Sequence, residues 1–119
     1  MHQMSGHTHA HEMQPCIDAC TSCHQTCTHQ VHHCLDTGGA HAESAHITLL
    51  LDCAQICATS ADFLTRHSAH HALTCRTCAE LCDACAVSCE AFGDDEMMKA
   101  CAEECRRCAE SCRAMAGMS

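Results

Sequence analysis

Tryptophan and tyrosine are missing from this 119-residue chain, and Phe63 and Phe92 are its only phenylalanines. Large aliphatics are scarce outside Ile47, Leu49, Leu50 and Leu51. A conventional core of this length needs more bulk, so other side chains must fill the interior. One proline and five glycines leave few places to break the chain. That scarcity argues against a loop-dominated, Cys-rich mini-domain, and no strand alternation is visible. Basic residues are few as well: six Lys and Arg stand against fifteen Asp and Glu, a net charge of −9. No basic patch is available to hold phosphate, which argues against nucleic acid or an anionic membrane surface as partner. No apolar run approaches the roughly 20 residues that span a bilayer. The N-terminus shows neither a basic segment followed by an apolar one nor a twin-arginine pair, so the expected location is cytoplasmic. In that reducing compartment many cysteines point to metal rather than disulfides.

What the chain has instead is cysteine: sixteen residues, nearly all three or four positions apart. Cys16, Cys20, Cys23 and Cys27 form one stripe, which Cys34 extends by two turns. Cys53 and Cys57 form a second, and Cys75, Cys78, Cys82, Cys85 and Cys89 a third. Cys101, Cys105, Cys108 and Cys112 form the fourth. Steps of three and four return a helix to the same face. Thiols therefore stand where a helical bundle normally carries leucine.

Local signals divide the chain into four helices. Residues 1–14 are rich in His and Met without apolar periodicity and read as a flexible tail. Pro15 suits the first position of a helix that runs to about residue 35, where Gly38 and Gly39 stop it. A second helix is expected over about 45–67, with Ser68 available to cap the next one. A third covers about 70–92 and ends at Gly93. Asp94 and Asp95 can cap a fourth over about 95–115 and favour its dipole. The expected fold is all-α: an antiparallel up-down-up-down four-helix bundle over residues 15–117 with a Cys-lined core. The outward face of the second helix, with Leu49, Leu51, Ile56 and Phe63, is a candidate association surface.

Thiolate selects soft or borderline ions, chiefly Cu(I), Zn(II) and iron in clusters. Structural zinc sites take four ligands in closed tetrahedra, and sixteen helical cysteines exceed what one or two such sites need. Buried thiolates also need compensating cations. A Cu(I) ion replacing each thiol proton leaves the interior neutral, whereas zinc held by four thiolates leaves two negative charges. If each Cu(I) takes two thiolates and each thiolate bridges two ions, the count is roughly one Cu(I) per cysteine. Cysteines at i and i+4 of one helix match disulfide torsions poorly. The ferredoxin run of cysteines ending in Cys-Pro is absent. A zinc- or iron–sulfur-binding structural or redox module stands as the alternative. No acid–base or nucleophile–base constellation suggests an enzyme.

Threading the bundle gathers Met13, Cys16, His67, His70, His71, Cys75, Cys112 and Met115 at one end. His33, Cys34, His41, His46, Met97, Met98 and Cys101 gather at the other. Imidazole and thioether bind Cu(I) without adding charge, so such ends can pass copper between solvent and the thiol core. His71 and His67 extend the third and second stripes and Met115 the fourth; these three join the sixteen cysteines as candidate ligands. His24, His29 and His32 fall off the first stripe. The tail residues His2, His7, His9 and His11, with Met1, Met4 and Met13, are candidates for capturing copper at low affinity.

The segments CIDACTSCHQTC, CAQIC, CRTCAELCDACAVSC and CAEECRRCAESC make the chain resemble the bacterial copper storage proteins, over about residues 15–116. The resemblance implies a Cys-lined four-helix bundle that stores many Cu(I) ions, a homo-oligomer (often a tetramer), and the cytosolic branch of the family.

Overall fold

The computed structural model describes residues 3–117, with side-chain surroundings from Met13 onward. Four α-helices run Gln3–Thr37 (α1), Ser44–Thr65 (α2), His71–Glu90 (α3) and Glu96–Met115 (α4), and a 3₁₀ turn at Gly39–Ala42 joins the first two. α1 packs on α2 and α4, and α3 packs on the same two, while among the described residues the backbones of the diagonal pairs stay more than 8 Å apart, Cα to Cα. That is the square of an up-down-up-down bundle. The molecule is a rod of 57 × 21 × 19 Å.

Each helix buries one stripe with a heptad-like step of three and four. In α1 it is Met13, Cys16, Cys20, Cys23, Cys27, Gln30 and Cys34, and in α2 His46, Leu50, Cys53, Cys57, Ser60 and Leu64. In α3 it is Cys75 to Cys89, and in α4 Met98, Cys101, Cys105, Cys108, Cys112 and Met115. Among the described residues, Leu50 and Leu64 are the only leucines that are fully buried. Buried alanines sit seven residues apart beside three of these stripes: Ala54 and Ala61, Ala79 and Ala86, Ala102 and Ala109. Small side chains there let the helices approach closely, which a core of short thiols requires.

The ends of the helices follow local chemistry. Asp95 caps α4, its Oδ1 accepting from the Met97 and Met98 N–H groups at 2.9 and 3.1 Å. Gly38, Gly39 and Gly93 take positive φ in the connections. α2 ends two residues earlier than expected, because His67 adopts φ 54°. Its N–H reaches the Leu64 carbonyl, and the Ser68 N–H reaches that of Phe63. This is a Schellman closure with histidine in the place usually given to glycine.

α1 begins well before the expected start, so Pro15 lies inside the helix rather than at its first position. Burial of Met13 in the core accounts for at least one more turn on that side. The side chains of His2, His7, His9 and His11, proposed to capture copper, lie outside the described residues. α2 also departs from expectation. It has 22 residues and a window of mean hydropathy 1.4, the length and composition of a membrane span. Its Leu50, Cys53, Cys57 and Leu64 are committed to the bundle, however, and Asp52 and Asp62 are exposed on the other side. A core helix meets the same measure. Among its outward residues Leu51 is 50% exposed, whereas Leu49 and Ile56 pack against the core. Phe63 lies under the Arg66 guanidinium, 4.7 Å from ring centroid to Cζ.

Candidate metal centre

All sixteen cysteines are free thiols and all are buried. They form a column along the bundle axis. At one end Cys16 and Cys20 meet Cys112, with Sγ–Sγ distances of 3.8 and 3.5 Å. Further in, Cys108 touches Cys20, Cys57 and Cys78 at 3.8, 3.9 and 3.9 Å. Cys57 also meets Cys82 at 3.7 Å, and Cys82 meets Cys53 at 3.6 Å. Cys105 then touches Cys23 and Cys27, both at 3.8 Å. These are contact distances, well beyond the roughly 2.05 Å of an S–S bond.

The thiols group in fours whose sulfurs lie within 4.8 Å of one another. The fours overlap. Cys23 belongs both to the set with Cys53, Cys57 and Cys82 and to the set with Cys27, Cys53 and Cys105, and Cys57 recurs with Cys78, Cys82 and Cys108. Cys85 enters through Cys27, Cys101 and Cys105. Separate closed tetrahedra, as structural zinc needs, do not share ligands in this way. Sulfurs shared between neighbouring sets suit ions bridged by thiolates.

Burial opposes ionisation throughout the column, while the thiols shift one another both ways. Hydrogen bonds from neighbouring thiols, Cys105 first for Cys23, Cys53 and Cys101 and Cys108 first for Cys78, pull those four down. Neighbouring thiols, first Cys108 for Cys57 and first Cys101 for Cys105 and Cys89, push these groups well above the ordinary thiol value, and burial adds to it. Burial, with the charge of Asp95, pushes Cys34 up to about 11. Among the described residues no Lys or Arg is buried. A metal that replaces protons one for one leaves this interior neutral.

The carboxyl-terminal end of α1 closes the column with a different donor set. Cys34 Sγ lies 3.4 Å from His46 Nε2 and 3.8 Å from Met98 Sδ. His46 Nδ1 is 2.7 Å from the Ser88 hydroxyl. The tautomer in which Nδ1–H donates to Ser88 leaves the Nε2 lone pair facing the thiol. Burial lowers the His46 pKa, which favours the neutral ring. Between this set and the thiol fours stands Gln30, buried in the α1 stripe, whose Oε1 has no hydrogen-bond partner among the described residues.

The histidine and methionine candidates divide. Met115 is buried at the Cys112 end of the core. His71 is partly buried, its Nδ1 3.0 Å from the Ser68 carbonyl. His67 is exposed in its left-handed turn, and Leu64 holds the inward position instead. His67 lines a cleft with Met13, Gln14, Ile17, Leu64 and Thr65. His24, off the stripe, binds the Ala54 carbonyl through Nδ1 at 2.8 Å and ties α1 to α2. His46 and Met98 are legible as stripe positions: His46 is seven residues before Cys53 and Met98 three before Cys101.

Four helices lined by a continuous, overlapping column of buried thiols define a bundle built to hold soft metal ions in number. Residues 9–117 match the Csp family, described as copper storage protein, and the chain belongs to that family. A crystal structure of a protein from Nitrosospira multiformis aligns with TM-score 0.85 at 44% identity, covering 92% of this chain and 99% of that one. The Cu(I)-bound copper storage protein BsCsp3 of Bacillus subtilis aligns with TM-score 0.81 at 36% identity, covering 88% and 98%. A cytosolic copper storage protein from Streptomyces lividans, loaded with five coppers, aligns with TM-score 0.80 at 29% identity, covering 92% and 96%.

Proposed function

We propose that this chain is a cytosolic store that sequesters many Cu(I) ions inside its bundle and carries out no catalytic turnover. The observation that carries the reading is the column of sixteen buried free thiols, at least twelve of them in overlapping fours. The proposed ligands are the thiolates of all sixteen cysteines, from Cys16 to Cys112. His46 and Met98 complete the end at Cys34, and Met115 and His71 stand beside the opposite end. Each ion that enters displaces one thiol proton, so loading about one Cu(I) per cysteine keeps the interior uncharged. A zinc or iron–sulfur module fits less well, because its sites require separate ligand sets.

Anaerobic titration with Cu(I) against a competing chelator tests the reading. Saturation near one ion per cysteine supports it, and saturation at one or two ions per chain sinks it. We also infer a homo-oligomer, supported by the exposed Leu51 and Val87, 50% and 61% accessible, on the outer faces of α2 and α3. Light scattering of the purified chain checks this, and a monomer at all concentrations rejects it.

A further inference from the structure

We propose that His33, His41 and Asp95 form a divalent-metal site of the zinc class, separate in chemistry from the thiol column. Three elements bring the donors together: His33 from the last turns of α1, His41 from the 3₁₀ turn, and Asp95 from the N-cap of α4. His33 Nε2 and His41 Nε2 lie 3.1 and 2.8 Å from the same oxygen, Asp95 Oδ2. All three side chains are about four-fifths buried, at 23%, 18% and 19% exposure.

The carboxylate is held in place independently of the histidines. Its other oxygen accepts two backbone N–H groups of α4. The His41 ring is fixed against Phe92, with centroids 4.0 Å apart. Such outer contacts orient ligands before a metal arrives. Two imidazoles and a carboxylate are borderline and hard donors, the set that suits Zn(II) and disfavours Cu(I). Zinc bonds of about 2.0–2.1 Å in a tetrahedron place donor atoms roughly 3.3 Å apart. The observed separations need to open by only a few tenths of an ångström. Both rings must then carry their proton on Nδ1, and the ion takes the two Nε2 lone pairs and Oδ2. A fourth position is left to water. The charge of Asp94, the residue before Asp95, favours a cation further, while Glu96 pairs with Lys99 at 3.6 Å.

The site does not depend on the storage reading, and one experiment keeps the two apart. The full chain is first loaded anaerobically with Cu(I) so that the thiols are occupied, and its copper content is measured; that number alone bears on storage. The loaded protein is then titrated with Zn(II), and in parallel with Co(II). One Zn(II) per chain is expected, with a Co(II) spectrum that lacks a thiolate-to-metal band. Asp95→Asn keeps the helix cap, since Asn caps as well as Asp, but removes the anionic ligand. His41→Ala removes one imidazole. Each is expected to weaken zinc binding by roughly tenfold or more. Absence of stoichiometric zinc, a thiolate band with Co(II), or undiminished binding in either variant overturns the proposal. The last result would assign the ion to other imidazoles, such as those of the N-terminal segment.

Discussion

Cys34 and His46 come from different helices and meet with Sγ and Nε2 3.4 Å apart. The contact ends the thiol column on a neutral nitrogen rather than another sulfur. His46→Phe fills the space without offering a donor and is expected to bind one Cu(I) fewer per chain. It also strands the Ser88 hydroxyl, for a cost of about 1 kcal/mol. Copper content after gel filtration, compared with the parent chain, checks the count; an unchanged count removes His46 from the ligand set.

The apo protein should lose stability in alkali. Cys34 is pushed up to about 11 by burial, then by the charges of Asp95, Cys101 and Cys85, from an ordinary 9.0. Cys75 also stands at about 11, where the hydrogen bond from Cys112 opposes the combined upward effects of Cys16 and burial. Unfolded thiols release protons from about pH 9, while these folded ones keep theirs to about pH 11. The unfolded chain thus binds fewer protons in that window, so stability is full below it and falls as pH rises through it. Thermal melts of the reduced apo chain should show the decline, and the Cu(I)-loaded chain, whose thiols have no proton to lose, should not.

Leu64 is fully buried beside the Cys112 end and is one of only two such leucines among the described residues. Leu64→Ala is expected to destabilise the apo protein by about 2–5 kcal/mol through lost burial and the cavity left behind. Urea unfolding measures the change. A cost under about 1 kcal/mol would mean that the thiols repack around the gap.

Ser60 occupies the α2 stripe three residues after Cys57, and its hydroxyl lies 3.6 Å from Cys75 Sγ. Ser60→Cys is nearly isosteric and places a seventeenth thiol against the column. The variant should hold about one more Cu(I) per chain, on the one-for-one count of ions and thiolates. Equal copper content in parent and variant would show that capacity is not set by thiol number.

His67 separates strain from function. A non-glycine residue at φ 54° costs about 1–2 kcal/mol, and His67→Gly should recover up to about 1 kcal/mol of that. If the imidazole also binds copper, the same variant loses an ion; an unchanged copper content with a higher melting temperature leaves His67 as a turn residue only.

Much of the site is legible in the sequence because a helix converts spacing directly into direction. Steps of three and four place every cysteine on an inner face, and all sixteen are buried. The same arithmetic puts His46 and Met98 on their stripes. Extended to His67 it fails, because the helix has already ended there. Gln30 is hidden for another reason: as a polar residue on a stripe of thiols it breaks the pattern by composition, though not by position. The early start of α1 is obscured by Pro15, a strong local signal that burial of Met13 overrides.

The sequence by itself determined the four helices, their thiol faces and the softness of the metal they hold, since periodicity and ligand chemistry are properties of the chain alone. Tertiary structure decided which sulfurs share an ion's neighbourhood. It also decided that Cys34 answers to His46 and Met98, and that His33, His41 and Asp95 converge. Those contacts join residues up to 96 positions apart. They depend on how closely the alanine-flanked helices approach and on how far each is shifted along its neighbour. No single helix carries that information.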